Sequence, residues 1–469
     1  MSKHQYEYLG NLLEPRGYIR GPFGSALKRN ELSDSGIPVY EQQHAITGTR
    51  IFRYFINNDK FNELKRFIVR DNDLIISCSG TVGKISLIKG NDPKGIISQA
   101  LLILRFDIKK VLPLYMYYFL ISKDGQQKIL NASQGAVQLN IAPKNIVEQI
   151  NVPIYSLEVQ QKIVYKLQVL DKKIQLNTQI NQTLEQIAQE IFKSWFVNFD
   201  PVHAKTDALA QGKTQAEAEL AAMQIISGKT PDELTALSQS HPDRYAELAE
   251  IARAFPSEFE EIEGFGEVPR GWEVKRVDEI ATIIKGKSYK SSELAESTTA
   301  LVTLKSFNRG GGYRLDGLKE YIGKYKYEQE VFSGELIIAY TDVTQAADVI
   351  GKPAMVMSDS RYEHLVISLD VGVVRPFDDV YKYFLYCLAM TDSFQAYTKS
   401  FCTGTTVLHL GKDAVPSFEF VNPNYELLKV FWKQTSPIFE KINLNIEENK
   451  SLEKSRDLLL PRLLNGEII

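Results

Sequence analysis

The chain has 469 residues, 44% of them apolar and 24% charged, with a formal net charge of −3; that length exceeds one ordinary core and implies two or more domains. No apolar run is long enough to span a membrane, and residues 1–15 lack the apolar core of a signal peptide, so the expectation is a cytoplasmic protein with no membrane segment. Cys78, Cys387 and Cys402 form no C-x-x-C and no framework spacing, which argues against disulfides and structural zinc.

The small net charge conceals an asymmetry. Residues 1–150 carry about 20 basic and 13 acidic side chains, residues 201–270 about 6 and 13, and residues 271–420 come to about −3. The first region therefore has the electrostatics of an anion binder. The third does not share that excess.

In chain order, residues 1–155 read as a β-rich domain. Short β-prone runs such as Ile37–Tyr40 and Leu74–Ser77 are bounded by turn residues, and Ser79-Gly80-Thr81-Val82-Gly83-Lys84 predicts a strand–turn–strand. Leu114–Ile121 is apolar all round and predicts a buried helix. Residues 156–200 contain no glycine, and no proline before the end of the run at 196. Their apolar residues Ile163, Leu167, Leu170, Ile174, Leu184, Ala188, Ile191 and Trp195 alternate in fours and threes, the seam of a coiled coil. Asn177 and Asn181 interrupt that seam. The ladder returns as Ile438, Ile442, Asn445, Asn449, Leu452, Leu459 and Leu463, about 268 residues later, within residues 424–469. Between them, 201–270 reads as an acidic, partly helical linker, with proline at 231, 242 and 256.

Residues 271–423 repeat the first domain. Glu31-Leu32 matches Glu293-Leu294 and Asp73-Leu74-Ile75-Ile76 matches Glu335-Leu336-Ile337-Ile338 at an offset of about 262, while Gly83-Lys84 matches Gly351-Lys352 at about 268. An insertion after Tyr340 accounts for the change. The predicted fold class is α+β: two β-rich globular domains, each followed by a long helix, the helices pairing as an antiparallel coiled coil with pseudo-twofold symmetry. Helices of about 40 residues are about 60 Å long, enough to separate two DNA half-sites one turn apart, about 34 Å.

No catalytic constellation emerges. Ala281-x4-Gly286-Lys287-Ser288 has the outline of a phosphate-binding loop, but two β-branched residues stand where glycine-rich backbone is needed, and no magnesium partner follows. Phe199-Asp200-Pro201 reads as a helix stop, and Pro242-Asp243-x3-Glu247 lacks the lysine of a nuclease site. The six histidines show no metal-ligand spacing.

The polar turns are more informative. In the first domain Tyr18, Lys28, Arg29, Gln42, Gln43, His44, Ser79, Thr81, Lys84, Gln134, Gln138 and Asn140 fall at loops and strand ends. In the second, Lys285, Lys287, Tyr289, Lys290, Lys305, Ser306, Asn308, Arg309, Thr341, Asp342, Thr344, Thr403, Thr405, Thr406 and His409 do so. Amides suit adenine, arginine and lysine suit guanine, and hydroxyls suit several base edges, so these are the candidate DNA contacts. Phe192, Trp195 and Phe196, with Leu460, Leu463 and Leu464, end the long helices with more apolar bulk than one seam hides, and are candidate contacts for partner subunits.

The chain resembles the specificity subunit of type I restriction–modification systems. The likeness rests on the helix end Leu184-Glu185-Gln186-Ile187-Ala188-Gln189-Glu190-Ile191-Phe192-Lys193-Ser194-Trp195-Phe196 and its echo from Leu452 to Glu467. The boundary Gly266-x-Val268-Pro269-x-Gly271-Trp272 and the turn Asp73–Lys84 add to it. The resemblance implies two target recognition domains reading a split, asymmetric site in double-stranded DNA, with the helices as a ruler. It also implies docking to two modification subunits that bind S-adenosylmethionine and methylate adenine, and to motor–nuclease subunits, with no cofactor and no catalysis in this chain. Two alternatives stay open on the residues: a nucleotide-dependent enzyme using Lys287, and a coiled-coil scaffold without a DNA role.

Overall fold

The computed structural model describes residues 5–23, 26–131, 140–141, 143–343, 347–405 and 407–468. They form two compact units, one of residues 1–175 and 449–469, the other of residues 176–448.

In the first unit a four-stranded antiparallel sheet runs in the order Leu13–Arg20, Leu101–Phe106, Leu74–Ser77, Ile85–Leu87. Leu74–Ser77 is buried along its whole length because both sheet faces are covered. Leu74 and Ile76 pack with Leu102 and Leu104 against the helix Pro113–Ile121, and Ile75 packs with Ile103, Ile19 and Tyr40 on the other side. That is why the sequence shows a continuous apolar run rather than an alternating one. A second small sheet sets Ile37–Tyr40 parallel to Ile96–Ile97 and antiparallel to Phe55–Ile56. Gln5–Tyr8 pairs with Asn151–Ile154.

The second unit repeats this plan. Its main sheet runs Ala281–Lys285, Val371–Pro376, Leu336–Ala339, Pro353–Met355. Thr299–Val302 lies parallel to His364–Ile367, and Glu273–Arg276 pairs with Glu419–Asn422. Individual hydrogen bonds recur at the offsets visible in the sequence. Gln126 Nε2 donates to the carbonyls of Gly83 and Leu120, and Gln395 Nε2 to those of Gly351 and Ala389. Both glycines have left-handed backbone, φ 82° and 73°, which explains glycine at each. Arg105 pairs with Asp73 and Arg375 with Glu335.

The long helices span Leu157–Phe196 and Tyr425–Leu464. Ser156 Oγ accepts from Val159 N at 3.4 Å, and Asn424 Oδ1 from Leu427 N at 2.9 Å, so the two N-caps occupy matching positions. Asn424→Ala is expected to cost about 1 kcal/mol, and Ser156→Ala less because its contact is longer; chemical denaturation measures both. The helices pair antiparallel within each unit. In the first, Asp171 accepts from Arg456 Nη1 at 3.0 Å and from the Tyr118 hydroxyl at 2.6 Å, and Tyr155 donates to the Leu464 carbonyl at 3.0 Å. In the second, Asn445 Nδ2 donates to Asn181 Oδ1 at 2.7 Å and Asn177 Nδ2 to Glu448 at 2.8 Å. Asn177 and Asn445 are buried, so the polar breaks in the seam face the partner helix and fix its register.

Residues 201–270, expected to be an acidic, partly helical linker, hold four helices, Asp200–Ala210, Gln215–Ser227, Pro231–Ser240 and Pro242–Ala254; the last three share a core of Ala222, Met223, Leu234 and Ala252, and the first packs on the second. Pro231 and Pro242 fall at helix starts, where a missing N–H costs nothing, and Pro256 stands just past the end of the last helix. The buried Lys205 ammonium donates to the carbonyls of Ala252 and Phe255, closing the last of these helices. Burial lowers its pKa from the ordinary lysine value. The helix-end residues are a correction. Phe192, Trp195 and Phe196 are buried among Phe255, Trp272, Phe384 and Phe431, and Leu460, Leu463 and Leu464 among Ile163, Leu167 and Tyr155. Their apolar area is consumed by the chain's own cores and is not presented to partner subunits.

Candidate nucleic-acid interface

In the first unit the turn after Leu74–Ser77 is held from three sides. Ser77 Oγ donates to the Thr81 carbonyl at 2.5 Å and accepts from Lys84 N at 2.9 Å. Gln42 Nε2 donates to the carbonyls of Ser79 and Thr81, and Gln126 clamps Gly83 from below. Asn140 joins as a bridge partner of Ser79. With the backbone fixed, the Thr81 and Lys84 side chains are exposed, and Gln43 is exposed on the helix that supplies Gln42. The structure thus brings Ser79, Thr81, Lys84, Gln42 and Asn140 together. Tyr18 lies half-buried on the edge strand, and burial pushes its hydroxyl up to about 12, which keeps it neutral. Lys28 and Arg29 are exposed on a separate turn, capped where Glu31 accepts from Lys28 N at 2.6 Å. Gln134 and Gln138 lie outside the described residues.

His44 is a correction. It is fully buried, its Nδ1 accepts from Glu41 N at 2.7 Å, its Nε2 lies 2.9 Å from the Ile51 carbonyl, and its ring stacks on Phe52. It closes a helix start, as Ser306 does for Thr303 in the second unit, and both ring nitrogens are occupied.

In the second unit the corresponding position carries a small sheet. Thr341 stands opposite His409, and His409 opposite Thr403. His409, Thr403 and Thr405 are exposed. The Lys285 ammonium lies 4.4 Å from the centre of the Tyr340 ring, a cation–π contact, and burial lowers the Lys285 pKa. Thr341 and Asp342 are corrections. Both are buried; Thr341 Oγ1 donates to Asp370 at 2.8 Å, and Asp342 accepts from the N–H groups of Val349 and Ile350. They shape the loop and do not reach outward. Lys305, Asn308 and Arg309 are exposed on another loop, with Arg309 3.7 Å from Asp348. Thr344 and Thr406 lie outside the described residues.

The phosphate-loop outline also fails on geometry. Ala281–Lys285 is a sheet strand, and no α-helix opens after Gly286. Gly286 is required by close approach: a Cβ there would meet the Ser368 carbonyl oxygen at 2.1 Å. The Lys287 ammonium donates to the Lys324 carbonyl and Tyr289 accepts from Lys319. Sequence reading missed Arg20. Its Nη1 is buried without a hydrogen-bond partner, and its guanidinium lies 5.7 Å from the ring of the exposed Phe23. The Arg20-Gly21-Pro22-Phe23 string was the available signal.

A duplicated β-domain-plus-helix chain with a different set of exposed polar side chains on each copy has the architecture of a two-headed binding protein. The profile of the type I restriction modification DNA specificity domain matches residues 23–186 and 269–454. The chain is 38% identical over 384 residues to the HindI specificity subunit of Haemophilus influenzae, covering 80% of this chain and 81% of that one. It is 23% identical over 356 residues to the MjaIX specificity subunit of Methanocaldococcus jannaschii, covering 76% and 68%. A crystal structure of the type I S subunit from M. genitalium aligns over 98% of this chain and 96% of that one, with 15% identity and a TM-score of 0.44. The chain belongs to the type I restriction–modification specificity subunit family.

Proposed function

We propose that the chain reads a bipartite, asymmetric sequence in double-stranded DNA, one half with each β-rich domain, as a non-catalytic subunit acting in the cytoplasm. It recruits two modification subunits, which supply S-adenosylmethionine and methylate adenine, and through them motor–nuclease subunits. The observation that carries this is the pairing of one fold, repeated to the level of single hydrogen bonds, with unlike exposed side chains: Gln43, Thr81 and Lys84 on one copy, His409, Thr403, Thr405 and Lys285 on the other. Equal scaffolds with unequal tips suit unequal half-sites, because amides, hydroxyls and cations match different base edges.

Binding of the chain with its modification subunits to a panel of duplexes tests this. A preference for one split sequence is expected, with affinity falling steeply as salt rises. Equal binding to every duplex defeats the proposal. Lys84→Ala and Lys285→Ala are each expected to relax the preference in one half-site only; relaxation of both halves by either one would contradict the assignment of one half per domain.

A further inference from the structure

The second domain lacks the positive excess of the first, yet its lysines are not evenly spread. Tyr289, Leu294 and Tyr325 pack round a small core of Leu301, Tyr321 and Val366. On this cluster the Lys319 ammonium donates to the Tyr289 hydroxyl at 2.8 Å and lies 5.2 Å from its ring centre. The Lys324 carbonyl accepts from the Lys287 ammonium and, at 3.3 Å, from the Tyr321 hydroxyl. The turn is thereby pinned while the Lys324 side chain stays exposed. Lys287, Lys319 and Lys324 have no ion-pair partner among the described residues; the two ammoniums held in place are held by neutral oxygens. Glu320, the next residue after Lys319, lies on the other face of the strand by its two-residue period, beside Arg361 and Tyr362.

The first domain handles the same region differently. Glu31 and Glu293 correspond, and each caps the turn before it. In the first domain Lys60 is bound by both Glu31 and Glu63 at 2.9 Å. In the second, Glu293 accepts from the Lys290 N–H and pairs with no lysine among the described residues, so it neutralises none of the three cations.

We propose that Lys287, Lys319 and Lys324, set on Tyr289 and Tyr321, form a platform for the sugar–phosphate backbone of duplex DNA. A cation fixed by neutral acceptors loses little side-chain freedom on meeting a phosphate and keeps its full charge for it. Lys319 on the Tyr289 ring, Lys287 at the Lys324 carbonyl and the exposed Lys324 side chain put three cations on one turn region, which suits a polyanion. Phosphate contacts position the duplex without reading sequence. The platform therefore gives a domain with no net positive charge its grip on DNA, and leaves sequence choice to the exposed side chains already named. This inference rests on the DNA-reading function proposed above.

The test uses the chain assembled with its modification subunits, comparing wild type, the triple variant Lys287→Gln/Lys319→Gln/Lys324→Gln and the triple Lys→Arg variant on target and scrambled duplexes across a salt series. For the glutamine variant, the slope of log K against log salt should fall by about 0.9 per lost contact, about 2–3 in all. Affinity should drop by a similar factor on both duplexes, leaving their ratio unchanged. The arginine variant should keep the wild-type slope, which separates lost charge from lost folding. A wild-type target preference with an unaltered slope in the glutamine variant overturns the platform alone. Loss of the target-to-scrambled ratio overturns its sequence-neutral role. Absence of target preference in wild type overturns the DNA-reading function and the platform with it.

Discussion

Trp195→Ala is expected to destabilise the second unit by about 3–5 kcal/mol, the range for removing a buried aromatic side chain. For a unit of this size that corresponds to a fall in Tm of roughly 5–9 °C. Trp195 ends the first long helix with its ring 5.3 Å from Phe255, 6.0 Å from Phe196 and 6.3 Å from Phe431. Phe255 follows the last helix of the 201–270 segment and Phe431 belongs to the second long helix. One indole therefore ties three elements together, and its loss leaves a cavity that none of them can close alone. The measurement is thermal unfolding of the chain without partners. A large shift there places Trp195 in this chain's own core. An unmoved Tm together with failed assembly would restore the partner-contact reading.

The largest functional effect is expected from the helix pair. Removing one heptad from each helix, residues 174–180 and 446–452, keeps the a/d pattern and leaves the Asn181–Asn445 hydrogen bond in place. Seven residues correspond to about 10 Å of helix rise, or about three base pairs at ~3.4 Å each. If helix length meters the gap between half-sites, the methylated target should change from one spacer to another about three base pairs shorter, with both half-site sequences retained. Mapping methylated adenines in DNA from cells carrying the variant and its partners gives the answer directly. The same spacer in variant and wild type would mean the helices join the domains without measuring anything.

The repeat was legible because it is written in residues whose neighbours cannot vary. Glycine is required where backbone turns left-handed, as at Gly83 and Gly351, and a strand covered on both faces shows as an apolar run, as at Leu74–Ile76 and Leu336–Ile338. The seam asparagines were readable on similar grounds: a polar residue at regular apolar spacing costs stability, and a hydrogen bond across the seam that fixes register offsets that cost. Side-chain direction was not legible. His44, Thr341 and Asp342 stand in strings of turn residues, yet each points inward and satisfies backbone or neighbouring polar groups. A short polar side chain that caps a loop and one that reaches a ligand are chemically alike, and only burial distinguishes them. Apolar helix ends carry the same ambiguity, since a seam spacing does not say how many elements converge on Trp195 or Leu463. Of the lysine–tyrosine cluster, Lys287 and Tyr289 were legible as candidate contacts, while Lys319, Tyr321 and Lys324 escaped because only the folded sheet brings positions 319–324 beside 287–289.

The first unit takes its C-terminal part from residues 449–469. Leu460, Leu463 and Leu464 enter the same core as Leu74, Leu102 and Tyr115. A ribosome delivers those leucines about 300 residues after Tyr155, Ile163 and Leu167, which they pack among. Domains usually fold in the order of their synthesis; here the sheet is covered early by Pro113–Ile121, but the apolar start of the first long helix waits for its partner leucines until translation has passed the whole second domain. The nascent chain is thus exposed to aggregation for that interval, and no N-terminal fragment ending before residue 460 carries a complete first core.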